Sequence, residues 1–224
     1  MKITAISDLH GKLPKIRKSD ILLIAGDLCP SFNHDIDFQK VWIQDNFLPW
    51  CKSIKAEVIF VAGNHDWYFE NLYGQGESYG NPFKETLPSN CHYLMDEKIE
   101  IKGITVYGTP WQPFFCDWAF NLSEWELDRR FSLIPEDVDI VLSHGPAFGH
   151  CDTIMGDQRY DRGHLGSQAL YKHIMRVGPK YCITGHIHSG NHEIEEENNV
   201  KFACVSLLDE RYQVGYKPLI IKDL

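Results

Sequence analysis

The sequence predicts an α/β fold, and three observations carry that reading. Short apolar runs of strand length recur along all 224 residues. Polar, amphipathic or irregular connections separate them. Several runs are apolar almost without a break, as in Ile21-Leu22-Leu23-Ile24, which marks strands covered on both faces.

In chain order, residues 2–7 and 21–25 read as the first two strands. Phe38, Val41, Trp42 and Leu48 fall roughly on one face of a helix, which Pro49 ends or kinks. Further strands are predicted at 58–62, 104–107, 140–143 and 181–184. A second helix is predicted over 167–177, where Leu170, Ile174 and Val177 line up and Gly178-Pro179 stops it. Residues 200–206 and 218–221 read as two more strands, so more than one sheet is expected. No internal repeat, low-complexity tract or linker divides the chain, and its length suits a single domain over 1–224. Two stretches do not read as scaffold. Residues 67–90 are rich in Gly, Tyr and Asn without a clear period, and 111–120 hold Trp111, Phe114, Phe115, Trp118 and Phe120. Loops of that length in a compact domain tend to be functional or mobile.

Composition narrows the function. With 43% hydrophobic and 24% charged residues the chain is ordinary for a globular protein, which excludes collagen, low-complexity disorder and a coiled coil. A net charge of −9 disfavours grip on long nucleic acid or an anionic membrane. The seven cysteines form no CxxC pair, so neither a disulfide framework nor a zinc ribbon is indicated. Reduced thiols, no signal-peptide stretch and no bilayer-length apolar run make a cytoplasmic location the expectation.

The decisive pattern lies where the strands end. Residues 2–7 run into Asp8-Leu9-His10, and 21–25 into Gly26-Asp27. The strand at 58–62 runs into Gly63-Asn64-His65-Asp66, 140–143 into His144-Gly145, and 181–184 into Gly185-His186-Ile187-His188. Five strands thus deliver a carboxylate, amide or imidazole at the edge where α/β sheets bind ligands. Asp8 and His10, like His186 and His188, are two apart, and in extended chain such pairs point the same way. Asp, His and Asn together suit Mn²⁺, Fe or Zn²⁺ better than Ca²⁺ or a thiophilic ion. Seven donors exceed one tetrahedral site and suit two ions sharing a carboxylate.

These five blocks resemble the signature of the calcineurin-like metallophosphoesterase superfamily. Tyr107-Gly108-Thr109-Pro110-Trp111, Phe120-Asn121-Leu122 and Ser143-His144-Gly145-Pro146 resemble its small metallophosphoesterase-domain, class III cyclic-nucleotide phosphodiesterase-like branch. The resemblance implies a four-layer α/β/β/α sandwich with a dinuclear metal site at the strand C-terminal ends. It places one divalent ion on Asp8, His10, Asp27 and His188, and the other on Asp27, Asn64, His144 and His186, with Asp27 bridging. Manganese is the expected metal, with Fe, Zn, Ni or Co as alternatives. A metal-bridging hydroxide would attack phosphorus, and His65, oriented by Asp66, would protonate the leaving alkoxide or stabilise its charge. An ordinary imidazole pKa near 6.5 suits that role. The GDxVDRG stretch of the protein phosphatases is absent: Gly26-Asp27 runs into Leu28-Cys29-Pro30. That argues against a protein phosphatase.

The histidines outside the blocks, His34, His92, His150, His164, His173 and His192, read as surface or hydrogen-bonded groups. His150 and His164 flank a polar stretch and are candidate pocket residues. Trp111 is a candidate for stacking on a nucleobase. Arg159, Arg162 and Lys172 are the nearest basic residues downstream of the blocks, and their scarcity leans toward a diester substrate. The expected partner is therefore a small phosphate ester, most simply a small or cyclic nucleotide-type diester. Phosphomonoesterase is the alternative, with nuclease and non-catalytic scaffold behind it. The intact His65 and ligand set speak against the scaffold.

Overall fold

A computed structural model describes residues 1–74, 82–154, 163–222 and 224. In chain order the elements are β1 (Ile3–Ile6), β2 (Ile21–Ala25), α1 (Ile36–Trp42), α2 (Leu48–Ser53), β3 (Glu57–Val61), α3 (Trp67–Gly74), α4 (Pro82–Glu85), β4 (Cys91–Tyr93), β5 (Glu97–Ile101) and β6 (Ile104–Thr109). They continue with β7 (Gln112–Pro113), β8 (Asn121–Leu122), α5 (Glu124–Phe131), β9 (Ile140–Ser143), α6 (Gln168–Val177), β10 (Tyr181–Thr184), β11 (Glu195–Glu197), β12 (Val200–Cys204) and β13 (Leu219–Ile221).

The strands form two main sheets, ordered β13-β1-β2-β3-β4 and β11-β12-β10-β9-β6-β5. β1 to β4 run parallel, as do β6, β9, β10 and β12, while β5, β11 and β13 pair antiparallel at the edges. Strand side chains alternate between two faces. In β2, Ile21, Leu23 and Ala25 join Ile140 and Leu142 of β9 and Ile183 of β10 in a core between the sheets. Leu22 and Ile24 point the other way, into the cluster that holds Ile43, Phe47 and Phe69. Phe60 of β3 packs edge-on to Phe47 at 5.2 Å and to Phe69 at 6.2 Å, which seats the 36–53 segment and α3 on the first sheet. Val141 of β9 and Cys182 of β10 share a cluster with Leu127 of α5 and with Leu170 and Ile174 of α6. Helices thus cover the outer faces, and the layers run α/β/β/α.

Pro49 does not end the first helix. The chain widens into one turn of π-helix over Ile43–Phe47 and continues as α2, with Pro49 in its first turn. Pro49 has no N–H to donate, so the ladder lacks one bond there, while the Leu48 N–H just before it reaches back to Ile43 C=O. The 67–90 stretch contains α3 and α4, with 75–81 outside the described residues. α5 begins with a capping box in which Ser123 and Glu126 serve each other's backbone N–H groups. All seven cysteines are unpaired, and only Cys116 is exposed. No helix among the described residues is long and apolar enough to cross a membrane.

Candidate functional site

Asp8 and His10 follow β1, Asp27 follows β2, Asn64 to Asp66 follow β3, His144 follows β9, and His186 and His188 follow β10. Three of these strands belong to one sheet and two to the other. The site therefore forms where the edges of the two sheets meet. Backbone bonds lace the loops together: Asp8 N–H to Gly26 C=O at 3.0 Å, His10 N–H to Asp27 C=O at 2.9 Å, and Gly185 N–H to His144 C=O at 3.0 Å.

The turns are tight. Asp8, His10, Asp27 and His186 all adopt left-handed backbone, with φ of 54°, 42°, 53° and 69°. Such conformations cost a non-glycine residue about 1–3 kcal/mol each and cluster at functional sites. Glycine at 63 is required by close approach. A Cβ there would collide with the carboxylate and amide nitrogen of Asp27 and lie 2.7 Å from His144 Cε1.

The polar atoms converge as the spacing implied. His188 Nε2 lies 3.2 Å from His10 Nε2 and 3.3 Å from Asp8 Oδ1. His10 Nε2 lies 3.4 Å from Asp27 Oδ2, and His144 Nε2 lies 3.5 Å from Asp27 Oδ1. Asn64 Oδ1 sits 2.9 Å from His144 Nε2 and 2.8 Å from His186 Nδ1. All are buried or nearly so. Outer contacts set the rings: His144 Nδ1 donates to Ala25 C=O at 2.8 Å, and His188 Nδ1 to Asp209 C=O at 3.1 Å. This is how metal-ligating imidazoles are held with the other nitrogen forward. Three overlapping groups, Asp8–His10–His188, His10–Asp27–His65 and Asp8–Asp27–His144, each bring donor atoms within 4.8 Å of one another.

Electrostatics favours a cation here. Burial pushes the His10 imidazole down to about 2 and the His186 imidazole down to about 3, leaving both rings neutral at pH 7. Burial also works to discharge His188, but the hydrogen bond and charge of Asp8 outweigh it and raise His188 to about 9. Against its own burial, Asp8 is held well below the usual carboxylate range by His188. Burial, with the charge of Asp8 adding to it, lifts Asp27 to about 6. Imidazoles, buried carboxylates and an amide oxygen, facing inward, fit divalent transition-metal ions.

His65 stands beside this cluster. Its backbone N–H donates to Asp27 Oδ1 at 2.8 Å, and its carbonyl accepts from Gln39 Nε2 at 2.7 Å. Burial drives its imidazole down to about 4, not the 6.5 of a free ring. It is neutral at pH 7. The Asp66 carboxylate makes no hydrogen bond to that ring. It accepts N–H groups from Gly63 at 2.8 Å, Leu28 at 3.0 Å and Cys29 at 2.9 Å, tying the loops after β2 and β3 together. The partner of His65 Nδ1 is His34 Nε2, at 3.2 Å. His34 belongs to no motif, and only its place in the loop after β2 hints at the site. Tyr212 also went unmarked by any motif, although its ring lies edge-on to His10 at 4.7 Å and near His188 at 5.4 Å.

Beside the polar cluster opens a cavity of about 410 Å³, with Asp27, Asn64, His65, His186 and His188 on one side. Phe114, Phe115, Trp118, Leu165 and Ile187 form an apolar wall, and Glu210 and Tyr212 close it. Three expected pocket residues lie elsewhere. Trp111 is 4% exposed and packs inward, its indole N–H donating to Asp96 at 2.8 Å under the Arg130 guanidinium. The aromatic wall comes from its neighbours in the same loop. His150 stacks on Phe202 at 3.9 Å and pairs with Glu195 and Glu197. His164 pairs with Asp152 at 2.7 Å, while its neighbour Leu165 reaches the cavity. Lys172 pairs with Asp128 at 2.7 Å, and Arg159 and Arg162 lie outside the described residues.

The sequence model of the calcineurin-like phosphoesterase family matches residues 1–190. UPF0046 protein T07D4.2 of Caenorhabditis elegans is 31% identical, the alignment covering 98% of this chain and 59% of that protein. Human Metallophosphoesterase domain-containing protein 1 is 29% identical, with 98% and 70% covered. The chain thus spans less than two thirds of the nematode relative's length. Among solved structures, the phosphopantetheinyl hydrolase PptH of Mycobacterium tuberculosis superposes with a TM-score of 0.58 at 16% identity, covering 94% of this chain and 90% of that one. TT1561 of Thermus thermophilus gives 0.53 at 13% identity, covering 91% and 88%. These likenesses speak to the fold. The family match runs through every strand end that carries a polar donor, and on that ground the chain belongs to the calcineurin-like phosphoesterase family.

Proposed function

We propose that this chain is a metal-dependent hydrolase of small phosphodiesters. The observation that carries the reading is the Asp27 carboxylate, whose two oxygens face different histidines: Oδ2 faces His10 at 3.4 Å and Oδ1 faces His144 at 3.5 Å. Asp8, His10 and His188 gather on the first side, and Asn64, His144 and His186 on the second. These two sets would hold two divalent ions with Asp27 shared, and the mixture of donors favours Mn²⁺, with Fe, Zn²⁺, Ni²⁺ or Co²⁺ as alternatives. Such a pair, when bound, acidifies a water and neutralises phosphoryl oxygens.

The protein's own groups do the rest. His65, neutral and half-buried, donates a hydrogen bond from Nε2 to the leaving oxygen. The wall of Phe114, Phe115, Trp118 and Ile187 receives the apolar or aromatic part of the ester and excludes water. No lysine or arginine is among the described residues lining the cavity, and Glu210 is. Among the described residues a monoester's extra charge finds no partner side chain there, which favours diesters. The modest cavity and the −9 charge favour a small ester over a long polyanion.

A Mn²⁺-supplemented panel tests this. It compares nitrophenyl phosphate, bis-nitrophenyl phosphate, 2′,3′- and 3′,5′-cyclic nucleotides and single-stranded nucleic acid. The expected result is higher kcat/KM on the diesters. Preference for the monoester would replace the diester reading, and a metal-replete protein inert on the whole panel would restore the scaffold reading.

A further inference from the structure

We infer that His34 is a positioning residue for His65, holding it as the Nε2–H tautomer with that nitrogen turned toward the leaving group; this rests on the phosphoesterase reading above. Among the described residues, every other handle on His65 is main-chain or steric. Its backbone N–H and C=O are held by Asp27 and Gln39. Trp118 packs on the ring at 4.2 Å, and His10 stands edge-on at 4.8 Å. Packing restricts the ring's tilt but does not choose which nitrogen carries the proton.

That choice belongs to the hydrogen bond at the other nitrogen. Among the described residues, His65 Nδ1 has one polar partner, His34 Nε2 at 3.2 Å, and Nε2 has none. An aspartate at Nδ1 can only accept, so it selects the Nδ1–H form and leaves Nε2 as a bare lone pair. Asp66 is occupied with three backbone N–H groups and plays no such part. An imidazole can donate. With His34 Nε2–H directed at Nδ1, His65 keeps its proton on Nε2 without becoming a cation. It can then donate that N–H to the leaving alkoxide. Trp118 also meets His34, edge-on at 5.0 Å, and so clamps both rings.

The test combines a spectroscopic and a kinetic readout on the full chain. Ring ¹⁵N shifts of His65 would be recorded metal-free and with Zn²⁺ in wild type, His34→Ala and His34→Gln. Wild type should show Nε2 protonated and Nδ1 unprotonated. His34→Ala should show averaged tautomers, and His34→Gln, whose amide can donate, should regain the wild-type pattern. With Mn²⁺, His34→Ala should lower kcat on 2′,3′-cyclic AMP, which leaves as an alkoxide, by about 10–100-fold, the usual scale for loss of a group supporting a site residue. KM should hold. Bis-nitrophenyl phosphate, whose leaving group needs no hydrogen bond, should be nearly unaffected, and His34→Ala should add nothing to His65→Ala. A His65 spectrum unchanged by His34→Ala, an Nδ1–H wild type, or equal losses on both esters overturns the assignment. A wild type inactive on both esters would sink the phosphoesterase reading instead, while the ¹⁵N shifts still decide the role of His34.

Discussion

His188 Nε2 lies 3.3 Å from an Asp8 carboxylate oxygen, and this contact sets how protons and metal ions compete at the site. With its pKa raised to about 9, His188 is protonated in the metal-free chain at pH 7. Its pairing with Asp8 stabilises that form fully below the unfolded value near 6.5 and is lost as pH rises through about 9. A metal ligand must be a neutral imidazole. Loading at pH 7 should therefore release the His188 proton, beside any given up by a metal-bound water, while His10 and His186 have none to give. Calorimetric Mn²⁺ titration in buffers of different ionisation heat measures this directly. Heats independent of buffer would contradict it.

Asp27 and His65 should separate metal binding from turnover. Asp27 touches both donor sets, so Asp27→Ala should lose both ions, whereas His186→Ala should keep one. His65→Ala should keep both and lower turnover on an alkyl diester by about 10²–10⁴-fold, the range for losing a group that assists the leaving oxygen. Metal analysis of the purified variants beside single-substrate kinetics makes the comparison. Two ions per chain in Asp27→Ala would refute sharing. Metal loss in His65→Ala would make His65 a ligand, a role its closeness to His10 and Asp27 permits.

The strand-end donors were legible because each follows an apolar run, and the end of such a run is where an α/β sheet presents side chains to a ligand. Asp8, Asp27 and His144 could be placed from such runs alone. Which sheet each strand joins was not legible, since pairing such as β1 with β2 and β9 with β10 is a long-range choice among similar Ile- and Val-rich segments. His34 and Tyr212 reach the cluster from irregular loops, where spacing carries no geometric meaning. Trp111 illustrates the reverse error. The aromatic loop does wall the cavity, but which of its rings turn inward depends on Asp96, whose carboxylate lies 15 residues back and claims the Trp111 indole.

Asp66 offers a test of structure against catalysis. Its carboxylate is fully buried and satisfies three backbone N–H groups from two loops. Leaving such donors unpaired costs about 1–3 kcal/mol each. Asp66→Ala should thus lower the denaturant midpoint strongly, by about 3 kcal/mol or more of stability, and lose metal as the Asp27 and Asn64 loops separate. Burial, reinforced by Asp27, holds the Asp66 pKa near 6, above the 3.8 of a free carboxyl, so ionising it costs folded stability as pH rises from about 4 through about 6. Asp66→Asn removes that cost but keeps only one acceptor oxygen, and should fall between wild type and Ala. An Asp66→Ala protein of wild-type stability with only kcat reduced would return Asp66 to the role of orienting His65.

Trp111 and Trp118 share a loop and should fail in opposite ways. Trp111 is buried, bonded to Asp96 and covered by Arg130, whose guanidinium carbon sits 4.7 Å above the ring. Trp111→Ala should cost about 3–5 kcal/mol of stability, as large aromatic deletions in cores do, and leave the substrate ranking of the surviving enzyme unchanged. Trp118 faces the cavity and touches His65 at 4.2 Å. Trp118→Ala should cost little stability, because it opens a surface wall instead of a core void. It should raise KM most for esters with an aromatic group, since stacking on an aromatic side chain contributes about 1–3 kcal/mol per base. Thermal unfolding alongside kcat/KM for bis-nitrophenyl phosphate and a dialkyl phosphate separates the two residues. A selective loss on the aromatic ester in Trp111→Ala, without loss of stability, would move the stacking surface back to Trp111.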